Sequence, residues 1–399
     1  MEWHVITGEY PPQWGGVSDY TYQIAQELAR GGDDVHVWSP ATHLESFHPE
    51  ATHPETAQVH ALSHGFGWRW LRDLRRGLKS YAGPRNILIQ YVPHMYGWKS
   101  MNLAFCFWIF LQRKHNVCVM FHEVAFPFRS GQRFRHGLLA VVHRIMAWGI
   151  LRSVRHAFTS TEPYMELLQT LGGAETPISL LRICSNIPLE SYKSEASPLR
   201  NGGRSGHLFS VGIFSNFNTK IREVLEPVIG CLLENPKVEV LLLGPGEAFR
   251  QSIAKNSPYA ADRISSTGRL RVAEIGEHIA RCDALLQLYP DGASAARGTL
   301  IGAMASGVPV VTTQGPATDR LLLESGAMLF ADDSPESVRD SIELLREDPA
   351  FAHQMASRAR RLYEESFQPA VIVSRIRNAV GFPSLSPKEL ADEEPALQG

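Results

Sequence analysis

Residues 290–313 read PDGASAARGTLIGAMASGVPVVTT, and the order of their residue types decides the fold. An apolar run at 284–288 comes before them and has the length and composition of a buried strand. It ends in a loop of small residues. A helix opens near Gly298-Thr299, runs through Ala303 to Ser306, and meets a stop at Gly307. Pro309 then leads a second apolar run at 308–312. Strand, loop, helix and strand within about thirty residues make one βαβ unit of a parallel sheet.

The same alternation extends in both directions. In the second half, residues 207–211, 238–243, 284–288, 308–312 and 327–330 read as strands, with helical patterns between them. In the first half the strands fall at 3–7, 35–38, 87–91, 117–121 and 157–160. The clearest helix spans 19–30, where Tyr20, Ile24, Ala25 and Leu28 share one face, Ser18 is the expected N-cap and Gly31-Gly32 the stop. This pattern predicts an α/β protein of two Rossmann-like, doubly wound domains facing across a cleft. The boundaries follow composition: a first domain at 1–188, then a linker at 189–206 that begins LESYKSEASPLR and is polar and aperiodic. A second domain follows at 207–365, with a helix at 366–382 returning toward the first domain and a polar tail at 383–399.

Bulk properties narrow the function. The 399 residues are 44% hydrophobic and 20% charged with a net charge of −2, so nucleic acid is not an expected partner. Five scattered cysteines include no C-x-x-C, which suits a reducing compartment and gives no metal-type spacing. No basic leader precedes an apolar run, so a cytoplasmic location is expected. The greasiest stretch, LAFCFWIFL at 103–111, is nine residues long against the roughly 20 that a membrane span needs. It reads as a buried helix.

Candidate chemistry collects at the carboxyl ends of the strands. EYPPQWGGVSDY (9–20) leaves the first strand for the first helix. Gly15 and Gly16 let a bound group approach the backbone where free N–H groups point outward, although a plain strand–helix turn would use the same glycines. His122-Glu123 follows the strand at 117–121, and the histidine there can orient a hydroxyl or be satisfied by backbone alone. Arg297, Gly298 and Thr299 at a helix start combine a guanidinium, a close-approach glycine and a hydroxyl, the parts needed to hold a diphosphate. GIFSNFNTK (212–220) follows the first strand of the second domain and supplies Gly212 and Lys220. TGRL (267–270) places Gly268 in another strand-end loop, which could line a nucleotide pocket or simply turn.

In the order and spacing of these motifs, from EYPPQWGGVSDY through His122-Glu123 to TGRL and AMASGVPVV, nearly the whole chain resembles the GT-B-type glycosyltransferases of family four. These are retaining enzymes that use nucleotide-sugar donors. The resemblance implies that Gly15 and Gly16 lie by the donor phosphate, that His122 lies near the transferred sugar, and that a basic pair in the second domain grips the diphosphate. It also implies a nucleotide-sugar substrate with no cofactor and no metal, and a glycan or lipid-linked acceptor met by the Glu123 and Asp19 side. The pathway implied is the synthesis of cell-surface polysaccharide or glycolipid. Two departures stand out. The family's paired glutamates, eight positions apart, fall here on Ser294 and Gly302, leaving Asp291 as a substitute carboxylate. The arginine of its basic pair falls on Ile213, leaving Arg297 and Lys220 to supply the charge.

The missing carboxylates keep a second expectation open, a catalytically inactive nucleotide-binding partner of an active transferase. A nicotinamide enzyme fits the alternation but lacks G-x-G-x-x-G. Residues 68–79, WRWLRDLRRGLK, are basic, aromatic and helical in pattern. They give a further expectation, peripheral contact with the inner face of a membrane, against which stands an ordinary solvated helix.

Overall fold

The computed structural model describes residues 1–13, 15–41, 57–63, 65–83, 85–128, 131, 133–172, 175–185, 187, 192, 208–332 and 334–381. The expected linker, apart from Tyr192, and the expected tail at 383–399 lie outside the described residues. The chain forms two compact units, Met1–Arg182 joined by a helix from the end of the chain, and Ile183–Gln368.

In the first unit the order is β1 (Glu2–Ile6), α1 (Gly16–Arg30), β2 (Asp34–Pro40), β3 (Ala57–Leu62), α2 (Trp68–Lys79), β4 (Asn86–Tyr91) and α3 (Leu103–Leu111). Then come β5 (Asn116–Phe121), α4 (Phe134–Leu151), β6 (His156–Thr159), α5 (Glu162–Thr170) and β7 (Ile178–Leu180). The strands pair in parallel in the order β3-β2-β1-β4-β5-β6-β7. Chain order reverses direction between β1 and β4, the switch point where a doubly wound sheet opens a crevice at its strand ends.

The second unit runs β8 (Phe209–Phe214), α6 (Thr219–Leu233), β9 (Val238–Leu243), α7 (Glu247–Asn256), β10 (Ile264–Ser266), α8 (Val272–Ala280) and β11 (Ala284–Gln287). It continues through α9 (Gly298–Ser306), β12 (Val310–Thr313), α10 (Arg320–Glu324), β13 (Leu329–Ala331), α11 (Pro335–Glu347) and α12 (Pro349–Ser366). Its parallel order, β10-β9-β8-β11-β12-β13, puts the switch point between β8 and β11. The last helix, α13 (Pro369–Ala379), packs on α1 of the first unit. There Arg377 Nη2 donates to Asp33 Oδ2 at 2.7 Å and to the carbonyl of Gly31 at 3.1 Å, so a buried cation closes the carboxyl end of α1.

The stretch at 290–313 folds as its residues dictate. Every side chain from Leu300 to Ser306 is buried, and the small ones let α9 approach sheet and α12 closely. Gly307 adopts φ 70°, the left-handed stop, before Pro309 redirects the chain into β12.

Two local expectations are corrected. Ser18 is not the N-cap of α1: the helix begins at Gly16, and the Ser18 N–H donates to Glu9 Oε1 at 3.0 Å. A carboxylate six residues upstream of Gly15 thus does the work expected of the serine, and the Ser18 hydroxyl turns back to the Gln13 carbonyl. Residues 103–111 do form a helix, but not a buried one. Phe105, Cys106, Trp108 and Ile109 enter the core while Leu103, Phe107, Phe110 and Leu111 face outward.

Candidate active site

The second unit gathers most of the expected residues around the start of α9. After β11 the loop turns at Gly292 (φ 92°), where a side chain would strike Gly315. Arg297 precedes the helix, and its Nη2 is paired with Asp291 Oδ1. Its guanidinium lies 5.0 Å from the centre of the Tyr289 ring, and the Tyr289 hydroxyl meets Thr299 Oγ1 at 2.8 Å. Burial pushes the Tyr289 hydroxyl up to about 12, so it stays protonated and holds the threonine by a neutral hydrogen bond. Among the described residues no side chain caps the amino end of α9, and none comes within 4 Å of where a Cβ of Gly298 would stand. Backbone N–H donors, a helix dipole and a guanidinium therefore converge beside a bare backbone, an arrangement that stabilises an anion. On the neighbouring strand of the switch point, Asn218 caps α6 and Lys220 stands exposed in the first turn.

Two expected donor residues, Gly212 and Ser294, behave otherwise, and Gly268 stands in a strand-end loop as expected. Gly212 is not in a loop; it sits inside β8, where an added Cβ would lie 2.6 Å from Cys282 Sγ and 2.8 Å from Leu285 Cδ2. Its small size serves packing between β8 and β11. Ser294 is buried, and its hydroxyl accepts from the Ala296 N–H within the loop, so it braces the loop locally. Gly268 lies after β10, at the sheet's edge, and adopts φ 69° in a turn bridged to Gly244. Gly302, the other place where the resemblance puts a glutamate, is enclosed: Ile187 Cδ1, Ser185 Oγ and Tyr192 Oη stand 3.2–3.5 Å from its would-be Cβ, and its carbonyl accepts from Tyr192 at 2.9 Å.

In the first unit, His122 follows β5 and is held by β4 and α1. Its Nε2 meets Gln90 Oε1 at 2.7 Å, and its ring stands edge-on to Tyr20 at 5.0 Å. With Oε1 accepting, Nε2 carries the proton and Nδ1 keeps its lone pair. Enclosure of the ring lowers its pKa to about 3, so His122 is neutral at physiological pH. Glu123 is exposed and pairs with His94 Nδ1 at 3.5 Å, joining the rims of β5 and β4. Asp19 is half-buried in the first turn of α1. Gly15 is extended, and a Cβ there would run into the Glu9 carboxylate at 2.4–2.8 Å, whereas Gly16 faces open space. The anion at this helix start is accordingly the chain's own Glu9.

Glu9, Gln90 and Tyr289 are the participants that sequence reasoning misses. Glu9 opens the stretch EYPPQWGGVSDY itself, while Gln90 interrupts the apolar run ILIQY at 87–91. That oddity is its only signal. Among the described residues one group has metal-ligand geometry, Glu2, Asp34 and His36, with ligand atoms within 4.8 Å of one another. It lies at the amino ends of β1 and β2, away from the strand ends that carry the candidate site.

Residues 15–183 match the glycosyl transferase 4-like domain, and residues 206–348 match the glycosyl transferases group 1 domain. No curated protein matches the sequence. A sucrose-phosphate synthase from Thermosynechococcus elongatus has the same fold, with a TM-score of 0.68 at 15% identity over 95% of this chain and 98% of its own. Anabaena HepE, solved in complex with UDP and glucose, gives 0.66 at 15% identity over 95% and 99%. WaaG, a glycosyltransferase involved in lipopolysaccharide biosynthesis, gives 0.59 at 14% identity over 95% and 100%. With a domain of the first kind in its first unit and one of the second kind in its second, the chain belongs to the glycosyltransferases of the GT-B fold.

Proposed function

We propose that the chain is a retaining, family-four transferase that moves a sugar from a nucleoside-diphosphate donor to an acceptor hydroxyl in cell-surface polysaccharide or glycolipid synthesis. The observation that carries this is the uncapped amino end of α9, with Gly298 open, Thr299 braced by Tyr289, and Arg297 beside it. That HepE was solved with UDP and glucose supports a uridine nucleotide as the first ligand to try.

Arg297 is occupied by Asp291 in the unliganded chain. A donor pyrophosphate would draw the guanidinium to itself, since a doubly charged group on a helix amino end outcompetes one carboxylate. Asp291 would then be free to accept from a sugar hydroxyl, the work lost with the paired glutamates. As the glycosyl–oxygen bond breaks, charge grows on the leaving diphosphate, and the α9 N–H groups, Arg297 and Lys220 stabilise it without a metal ion. The first unit supplies the acceptor side, where neutral His122 offers Nδ1 to a hydroxyl and Glu123 lies exposed at the rim.

Titration calorimetry with UDP, and with uridine as control, tests the diphosphate assignment. Arg297→Ala should weaken UDP by about ten- to a hundredfold and leave uridine unchanged. Equal loss for both ligands would remove the arginine from the phosphate site. Asp291→Asn separates catalysis from binding: it should bind UDP at least as tightly as the parent and lose transfer. Nucleotide binding with no transfer from any donor in a panel of sugar nucleotides would instead favour the inactive binding partner. That reading draws its support from Ser294 and Gly302, where no carboxylate stands.

A further inference from the structure

The solvent side of α3 and α4 is apolar where a water-facing helix should be polar. On α4 the inward row of Ala140, His143, Met146, Ala147, Ile150 and Leu151 enters the core. The opposite row of Phe134, Leu138, Val141, Ile145 and Trp148 repeats at spacings of four and three and is exposed throughout. α3, which packs on α4, carries Leu103, Phe107, Phe110 and Leu111 outward in the same way. These nine side chains are 38–85% exposed, far more contiguous apolar surface than scattered surface residues account for.

Charge says what covers this face. Between Trp68 and Arg155 the sequence has fifteen lysines and arginines against two acids, Asp73 and Glu123, although the whole chain has 39 against 41. The outward face of α2 is a row of arginines and a lysine, while Trp70, Leu71, Leu74 and Leu78 serve the core. Guanidinium groups lie over exposed rings at the borders, Arg113 over Phe110 at 4.4 Å and Arg152 over Trp148 at 4.8 Å. Beside them, Trp98, Lys99 and Ser100 hold three successive positive φ angles of 53–69°. This costly turn keeps Trp98 outward, edge-on to exposed Trp68 at 6.1 Å. Rings flanked by cations, with tryptophans at the margin, match the layering of a lipid interface.

We propose that the outward rows of α3 and α4 embed in the interface of an anionic bilayer, with α2 as their cationic flank. Among the described residues no helix is long and apolar enough to cross a membrane, so the attachment is to one leaflet. The lipid, and not a second copy of the chain, is favoured because two such cationic faces repel each other. Vesicle binding is measured without donor or acceptor, so its outcome does not depend on the transfer reaction.

Co-sedimentation of the full chain with vesicles of phosphatidylglycerol mixed with phosphatidylcholine, and with phosphatidylcholine alone, tests the proposal. Binding to the anionic vesicles alone, weakened by salt, is expected. Phe107→Ser with Ile145→Ser removes two exposed side chains and should lower the partition at least about tenfold, with the circular dichroism spectrum and UDP affinity unchanged. Arg75→Glu with Arg76→Glu should lower it and flatten the salt dependence. A chain that stays in solution with both vesicle types, or binds both equally, overturns the proposal. So does a serine variant that binds as the parent does, or a sedimentation velocity dimer that the serine substitutions dissociate.

Discussion

Gly302 shows how one position can look like a missing catalytic group and be a packing decision. The resemblance puts a carboxylate there, yet Ile187, Ser185 and Tyr192 already fill the space in front of it. A glutamate would have to displace the Tyr192 hydroxyl from the Gly302 carbonyl and leave it buried without that partner. Gly302→Glu is therefore expected to lower stability by about 2 kcal/mol or more and not to raise transfer above the parent's; denaturant unfolding and a transfer assay read the two effects. Gly212 makes the same point from the other side. Its loop position and phosphate role are plausible in sequence because a glycine after an apolar run looks like a strand end. In the fold the strand continues through it, and Cys282 and Leu285 leave no room for a methyl group. Gly212→Ala should cost about 1–3 kcal/mol by overpacking while the folded variant keeps its UDP affinity. Loss of affinity without loss of stability would return Gly212 to the site. Arg297 is legible in sequence because a cation at a helix amino end runs against the helix dipole and needs a reason to be there, and it draws notice to Asp291 and Thr299 beside it. Their mutual pairing is not, since it depends on how the loop folds.

The elements found from sequence are those with a long, unbroken apolar pattern, and the ones missed are edge strands. β3 reads AQVHAL with half its side chains exposed, and β7 and β10 are three residues each, so none shows the run that marks a buried parallel strand. β3 nevertheless brings His60 against His36 at 3.1 Å, with Tyr81 over both and His4 stacked beside them. His4 accepts from Trp38 Nε1 at Nδ1 and donates from Nε2 to Glu2, so its neutral form is fully bonded and a second proton would face the Trp38 N–H. Burial first, and then His36, lower its pKa to about 3. The folded state thus binds fewer protons than the unfolded one between about pH 6.5 and 3, and stability must fall as pH falls through that window. Lowering the pH from 7 to 5 should cost about 2 kcal/mol through His4. Urea melts of His4→Gln should show a shallower acid dependence than the parent; parallel slopes would mean that His4 is not held neutral. In the same unit, α13 buries Ile372, Val373 and Ile376 and pairs Arg377 with Asp33. Arg377→Ala leaves Asp33 with the Met1 ammonium as its remaining ion-pair partner and opens the Gly31 carbonyl, and is expected to destabilise the first unit by about 1.5–3 kcal/mol.

Across the whole molecule, sequence alone carries the class of fold and the two sheets, because strand–helix alternation and glycine stops are local signals. The apolar, cation-flanked surface is legible only in part. Residues 68–79 draw attention by their charge, but Trp70 proves to be core and the apolar rows lie on α3 and α4. Nine apolar residues in a row read as burial, and only a fold can show which half of them lacks a partner. The same division into two units gives a test of where the nucleotide goes. Each unit has its own hydrophobic core, built around Ile87, Val119 and Ile150 in the first and around Val211, Leu286 and Ile342 in the second. A ligand that binds one folded unit stabilises that unit by mass action, roughly 2.7 kcal/mol at a hundredfold excess over Kd. Hydrogen exchange with and without UDP should therefore show slowed amides at Gly298, Thr299 and the start of α6, and raised protection through β8, β9 and β11. The amides of α1 should be unchanged, because Glu9 already occupies that helix start. Protection that appeared at Ser18 and not at Thr299 would move the diphosphate to the first unit, and Arg297 would lose its part in holding the donor and stabilising the leaving group.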